Sequence, residues 1–392
     1  MLLRASSKLI IVLGIYLSVS ACSGIDSSDS ASDGVDRSGT LNAQVASNIV
    51  RNFVVPTYEQ FVNSASALKT AIDTSCTGSS TEDAWNTAMS DWQATLFYSV
   101  GPTAPTSVVS DGAIARIYTI SQHNINNANA IDNAVNTLKL DPNYSIPRIE
   151  SNFIRGLDAL EYLLFVNPGD VDRCNYAKLV VNELQENANI AVNSWTANTN
   201  AGISSFLTAQ DSASIAQVRP FFNIIIEQTD KNLKDTKLGN ATKLSNNSGC
   251  GNTHACPELV EHRLAQSSYA SLKANLNSLK DIFTGGSGQG FDDIFAEAEQ
   301  SAASDAFVAN IDKAIASIDA QGAESLFTQL AAIETNAQGS DCQVTANPNS
   351  TSTSPAPCAI YREVKALSDF LKTDFAAVVN LDVPSASTGD GD

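Results

Sequence analysis

Histidine is scarce: the 392 residues contain three, His123, His254 and His262. None lies near a Gly-x-Ser-x-Gly elbow and no His-Glu-x-x-His helix occurs, so the common serine-hydrolase and zinc-peptidase constellations are missing. A catalytic zinc normally takes three protein ligands, mostly His. A binding protein is therefore favoured over an enzyme. Basic residues are also few, 23 Lys and Arg against 42 Asp and Glu, for a net charge of −19. That balance disfavours nucleic acid and attracts cations. Beyond Val19 no apolar run is long enough to span a bilayer, and no stretch alternates with period two, which leaves strands out of the reading.

Arg4 and Lys8 precede the apolar run Leu9 to Val19, and Ser20-Ala21-Cys22 follows. A positive start, a short apolar stretch and small residues before a Cys make a secretory signal with a bacterial lipobox. It would place a lipid on Cys22 and anchor the protein to a membrane; an ordinary signal with Cys22 incidental is the alternative. Ser23 after the Cys, rather than Asp, points to the outer membrane of a Gram-negative envelope. Residues 1–21 thus read as signal peptide and 22–43 as a polar, disordered tether. About 350 further residues suffice for two domains. We expect helical bundles over 44–200 and 201–383, parted at the small, polar stretch Ala197 to Ser205, and an acidic tail over 384–392.

With Cys22 lipidated, six of the seven Cys remain, an even number that in an exported chain argues for disulfides. Locality pairs Cys250 with Cys256 and Cys342 with Cys358, leaving Cys76 with Cys174 as the long-range bridge. A Cys/His zinc site around His254 is the competing reading.

Helical apolar spacing predicts helices over Gln44 to Ile72 (kinked at Pro56), Thr81 to Leu96, Asp111 to Leu138, Arg148 to Phe165 and Cys174 to Trp195. In the second half it predicts Asp211 to Leu238 (interrupted at Pro220, closed by Lys237-Leu238-Gly239), Glu258 to Phe283, Gly290 to Ala320 (broken near Ser304), Ala323 to Ala337 and Ala359 to Leu381. The fold class is all-α.

One stretch organises the rest, Arg155-Gly156-Leu157-Asp158-Ala159-Leu160-Glu161-Tyr162-Leu163-Leu164-Phe165. Ile149, Phe153, Leu157, Leu160 and Leu164 share one helical face. Asp158 and Glu161 lie about one turn apart beside it, a like-charge pair that disfavours a helix unless a cation lies between them. Arg155 or a metal ion would serve.

Gly156 to Phe165 resembles the signature helix of the imelysin family, bacterial envelope proteins tied to iron uptake, part of which is catalogued as metallopeptidases. The family pattern is Gly-x-His-x-x-Glu before a Leu-Glu-Tyr-Leu-Leu-Phe-like run; here Asp158 stands where the His would be. Trp85 and Trp92 ahead of Gly101-Pro102, and Lys237-Leu238-Gly239 followed by a loop and a Leu-rich helix ending Phe283-Thr284-Gly285, resemble the same family.

The resemblance implies a site at Asp158 and Glu161. Two carboxylates suit iron(III) or another hard divalent or trivalent cation better than zinc. Arg155, Gly156, His123, Glu261 and His262 complete the candidate ligand-binding set. Glu261-His262-Arg263 either meets the signature helix across a domain interface or forms a solvated charge cluster. His123 and the Asn-rich run after it either line a polar site or form a solvated face. The functional expectation is a lipid-anchored binding protein of iron acquisition, with iron, a chelate or a partner protein at the site. A metal-dependent peptidase and an acidic surface scaffold are the alternatives.

Overall fold

Amphipathic helices build the described part of the chain. The computed structural model describes residues 41–388 apart from 106, 108–109, 111, 119–126, 148–151, 197–202, 209–217, 246–249 and 251–253. Among these residues no strand occurs, as the spacing predicts. Cys22, the signal and most of the tether lie outside them, and no described helix is long and apolar enough to cross a membrane.

The chain enters as one rod: α1 (Leu41–Ile49), a wide π-helical segment (Val50–Val54) and α2 (Val55–Thr74). The wide turn falls just before Pro56, which cannot donate an i→i−4 bond, so the helix bulges there and continues. Then come α3 (Ser79–Thr95), α4 (Ala113–Ile117), α5 (Ala128–Leu140), α6 (Gly156–Phe165) and α7 (Val171–Thr196). α2 packs on α3 and α7, and α6 on α7 and α3.

The second half comprises α8 (Ile203–Thr208), α9 (Arg219–Glu227), a wide segment Gln228–Gly239, α10 (Asn240–Thr242) and α11 (Ser268–Thr284). After these come α12 (Phe291–Glu297), α13 (Ser301–Asp319), α14 (Leu326–Ala331), α15 (Asn336–Ala346), α16 (Ala356–Phe370), a wide segment Leu371–Phe375 and α17 (Ala376–Val379). α11 packs on α3 and α13, and α16 on α13 and α15. One apolar cluster runs through both halves, with Trp85, Trp92 and Trp195 fully buried in it. The boundary expected at 200/201 falls in residues 197–202, outside the described set.

All three expected disulfides form: Cys76–Cys174, Cys250–Cys256 and Cys342–Cys358. The zinc reading around His254 fails with them, because the metal ligand is a thiolate and both neighbouring sulfurs are bonded.

Several helices end elsewhere than the spacing predicts, two of them at left-handed residues. The stretch from Asp111 breaks after Ile117, where Tyr118 turns extended. Pro220 lies in the first turn of α9, and residues 211–217, expected to be helical before it, lie outside the described set. Lys237-Leu238-Gly239 is no terminus: the helix runs on into α10 and stops at Lys243, φ 60°. Gly239 serves close packing instead, since a Cβ there would lie 2.9 Å from Ser245 Cβ and 3.3 Å from the Tyr361 ring on α16. The break expected near Ser304 comes at Glu299, φ 59°, and Ala323 to Ala337 divides between α14 and α15. The tail begins packed, with Ser387 buried.

Candidate functional site

Glycine starts the signature helix. Gly156 sits at φ 73°, and a Cβ on it would lie 2.3 Å from the Ile117 carbonyl oxygen at the end of α4. A residue with a side chain fits neither that conformation nor that approach. The left-handed residue also divides the stripe: α6 begins at Gly156, so Phe153 lies before it in a separate short turn, Asn152–Ile154. Trp85 Nε1 donates to the Leu157 carbonyl at 3.0 Å and fixes the first turn. Asp158 and Glu161 then face the segment 260–267.

That segment is not the start of a long helix. His262 (φ 50°) and Gln266 (φ 55°) are left-handed, and α11 begins only at Ser268. The Leu264 and Ala265 amides, instead of entering a helix, both donate to Glu161 Oε1 at 3.0 Å. Ser268 Oγ donates to the Glu261 carbonyl. The turn delivers His262 Nδ1 to 3.8 Å from Glu161 Oε2. One ligand atom each from Asp158, Glu161 and His262 lies within 4.8 Å of the others.

A second polar layer stands behind the imidazole. Gln93 Nε2 lies 3.2 Å from His262 Nε2 and donates to Glu261 Oε1 at 3.2 Å. Glu261 also accepts from the Tyr118 hydroxyl, and its other oxygen pairs with Lys237 Nζ at 3.0 Å. Lys237 Nζ donates to Gln93 Oε1 at 2.5 Å and to Asn275 Oδ1 at 2.7 Å, and Asn275 Nδ2 donates to the Gln93 carbonyl at 2.7 Å. Burial lowers the Lys237 pKa, against the opposing pull of Glu261. Burial first, then the charges of Glu261 and Asp158, holds the Tyr118 hydroxyl well above its ordinary value. Glu261 Oε1 also stands 3.5 Å from His262 Nε2, so the imidazole is held at one edge by this layer while its Nδ1 edge faces Glu161.

The Imelysin family model, which carries a peptidase label, matches residues 54–348. The chain belongs to the imelysin family. Its fold is similar to that of an imelysin-like protein from Psychrobacter arcticum 273-4, at TM-score 0.65 and 16% identity over 90% of this chain and 99% of that one. It is also similar to a structure named as an iron-regulated protein A precursor from Parabacteroides distasonis ATCC 8503, at TM-score 0.59 and 17% identity over 86% and 97% of the two chains. No curated protein matches the sequence.

In this imelysin the expected residues separate. Asp158, Glu161 and His262 come together. Glu261 lies at 2% exposure and His262 at 1%, which removes the solvated-cluster reading; Glu261 backs the imidazole rather than joining the triad. Arg155 is not the cation between the carboxylates: its guanidinium turns to Glu183 and the Pro147 carbonyl, both at 2.5 Å. Gly156 acts through its backbone alone. His123 lies outside the described residues. Helical spacing does not single out Gln93, Tyr118, Lys237 or Asn275 as site residues. The available signal was a polar side chain in a core-facing register, since Gln93 falls four after Met89 and Asn275 three after Leu272.

Proposed function

We propose that this imelysin is an envelope-tethered binding protein of an iron-acquisition system, with Asp158, Glu161 and His262 holding a cation at the meeting of α6 and the 260–267 turn. The observation that supports it most is the convergence of two carboxylates and one imidazole within 4.8 Å. Such an N/O set suits iron or another hard to borderline cation. Cys22 would carry the lipid, in the outer membrane of a Gram-negative cell, and a partner protein of iron uptake would receive or supply the cargo. The iron-regulated name of one structural relative supports that direction.

Metal analysis of the purified protein after dialysis against iron(III) citrate, calcium and zinc tests the site. We expect one stoichiometric cation, lost in Asp158→Asn and His262→Gln. A melting point indifferent to all three metals, with no metal retained, overturns the reading. Hydrolysis of casein that depends on Asp158 and His262 would move the assignment to a peptidase.

A further inference from the structure

We propose that a cleft between α15 and the Thr242–Leu244 turn binds a small, hydroxyl-bearing organic polyanion of the hydroxycarboxylate class. Its volume, ≈380 Å³, far exceeds the ~30 Å³ share of a water and falls within the ~300–1,000 Å³ of small-molecule sites. α15 contributes Asn336, Ser340 and Gln343 at i, i+4 and i+7, one exposed face of polar side chains. Thr242, Lys243 and His254 line the cleft opposite them.

Charge makes the place unusual. The chain carries 42 acidic residues and a net charge of −19, yet among the described residues lining the cleft none is acidic, and Lys243 supplies a positive charge. An anion in the cleft meets no acidic side chain among these lining residues. The hydroxyls and amides both donate and accept, which matches hydroxyl groups on a ligand as well as its carboxylates.

The walls are also anchored separately. Cys342–Cys358 ties α15 to α16, and Cys250–Cys256 closes the loop that carries His254. The Cys256 amide donates to the Ala241 carbonyl at 2.8 Å, joining that loop to α10. Lys243 is fixed by its left-handed backbone, with the Leu244 and Ser245 amides donating to the Gly239 carbonyl at 2.9 and 3.1 Å. Bare Gly339 sets the width: a Cβ there would lie 3.2 Å from His254 Cβ. A preorganised cleft loses little entropy on binding. His254 makes no hydrogen bond among the described residues, so its ring remains available to a ligand.

The test is an NMR titration of the disulfide-intact protein with citrate at constant ionic strength, followed at the imidazole of His254 and assigned by His254→Gln. Saturable shifts of that ring are expected, with acetate at least about tenfold weaker. Gln343→Glu, an exposed change that leaves the fold intact, places a like charge in the cleft and should weaken citrate binding about tenfold or more. Lys243→Gln should act in the same direction. No shift at His254, equal weak binding of citrate and acetate, or indifference to Gln343→Glu overturns the proposal.

Discussion

Replacing Glu161 by Ala asks whether the signature carboxylate is structural, functional or both. On a solvated helix face the change would cost well under about 1 kcal/mol. The structure argues for more. Glu161 is 8% exposed, and Oε1 accepts two backbone amides, Leu264 and Ala265, each at 3.0 Å. Hydrogen bonds to a charged acceptor are worth about 1.5–3 kcal/mol apiece. Alanine removes both and strands two donors in a half-buried turn, so a loss of about 3–5 kcal/mol is expected. Glu161→Gln keeps an oxygen for the two amides and removes only the charge, so about 1 kcal/mol is expected of it. Urea unfolding reads both values from the shift in midpoint at unchanged slope. Gln should abolish cation binding while the protein stays folded, which separates the two roles. An Ala variant within about 1 kcal/mol of wild type refutes the claim that Glu161 holds the turn.

Gly156→Ala forces a Cβ toward a carbonyl oxygen at 2.3 Å in a left-handed residue; a melt should show a loss of about 3 kcal/mol or more. Tyr118 has a raised folded pKa, so the stability it contributes is full below the unfolded value of about 10 and is lost as pH rises through the folded one. Unfolding measured from pH 9 to 11, about the unfolded tyrosine value, should fall less steeply in Tyr118→Phe. Cys22→Ala should move the protein from the membrane fraction to the soluble fraction with its melting point unchanged; unchanged fractionation refutes lipidation.

Helix identity was legible wherever one apolar stripe faced the core, as in α2, α3, α7, α11 and α16. The spacing of Trp85, Met89 and Trp92 is such a case, and all three are buried. What spacing does not encode is the backbone exception. A Gly in an apolar stripe reads as a tolerated interior residue, yet Gly156 at φ 73° starts the helix anew against α4. Glu258 to Phe283 has unbroken helical spacing, yet residues 260–267 leave the helix because Glu161 offers their amides a charged acceptor. That partner lies about 100 residues away in sequence, beyond the reach of any local pattern. The site was therefore half legible. Asp158 and Glu161 announced themselves on one helix, whereas the approach of His262 depended on a turn made by the same Glu161.

The charge inventory explains why these groups are tolerated together. Asp158, Glu161 and Glu261 bring three carboxylates to one buried neighbourhood, and Lys237 answers one of them at 3.0 Å. Arg263 is half-buried and feels the Glu161 charge, which offsets part of a second. Burial makes any uncompensated negative charge costly in such a neighbourhood. Glu261 cannot shed its charge without abandoning Lys237. Asp158 and Glu161 lie at the Nδ1 side of His262, at the other end of the network. The cation proposed above would offset the charge of both. The carboxylate that holds the 260–267 turn is thus also a member of the proposed cation site, and the two roles share Glu161.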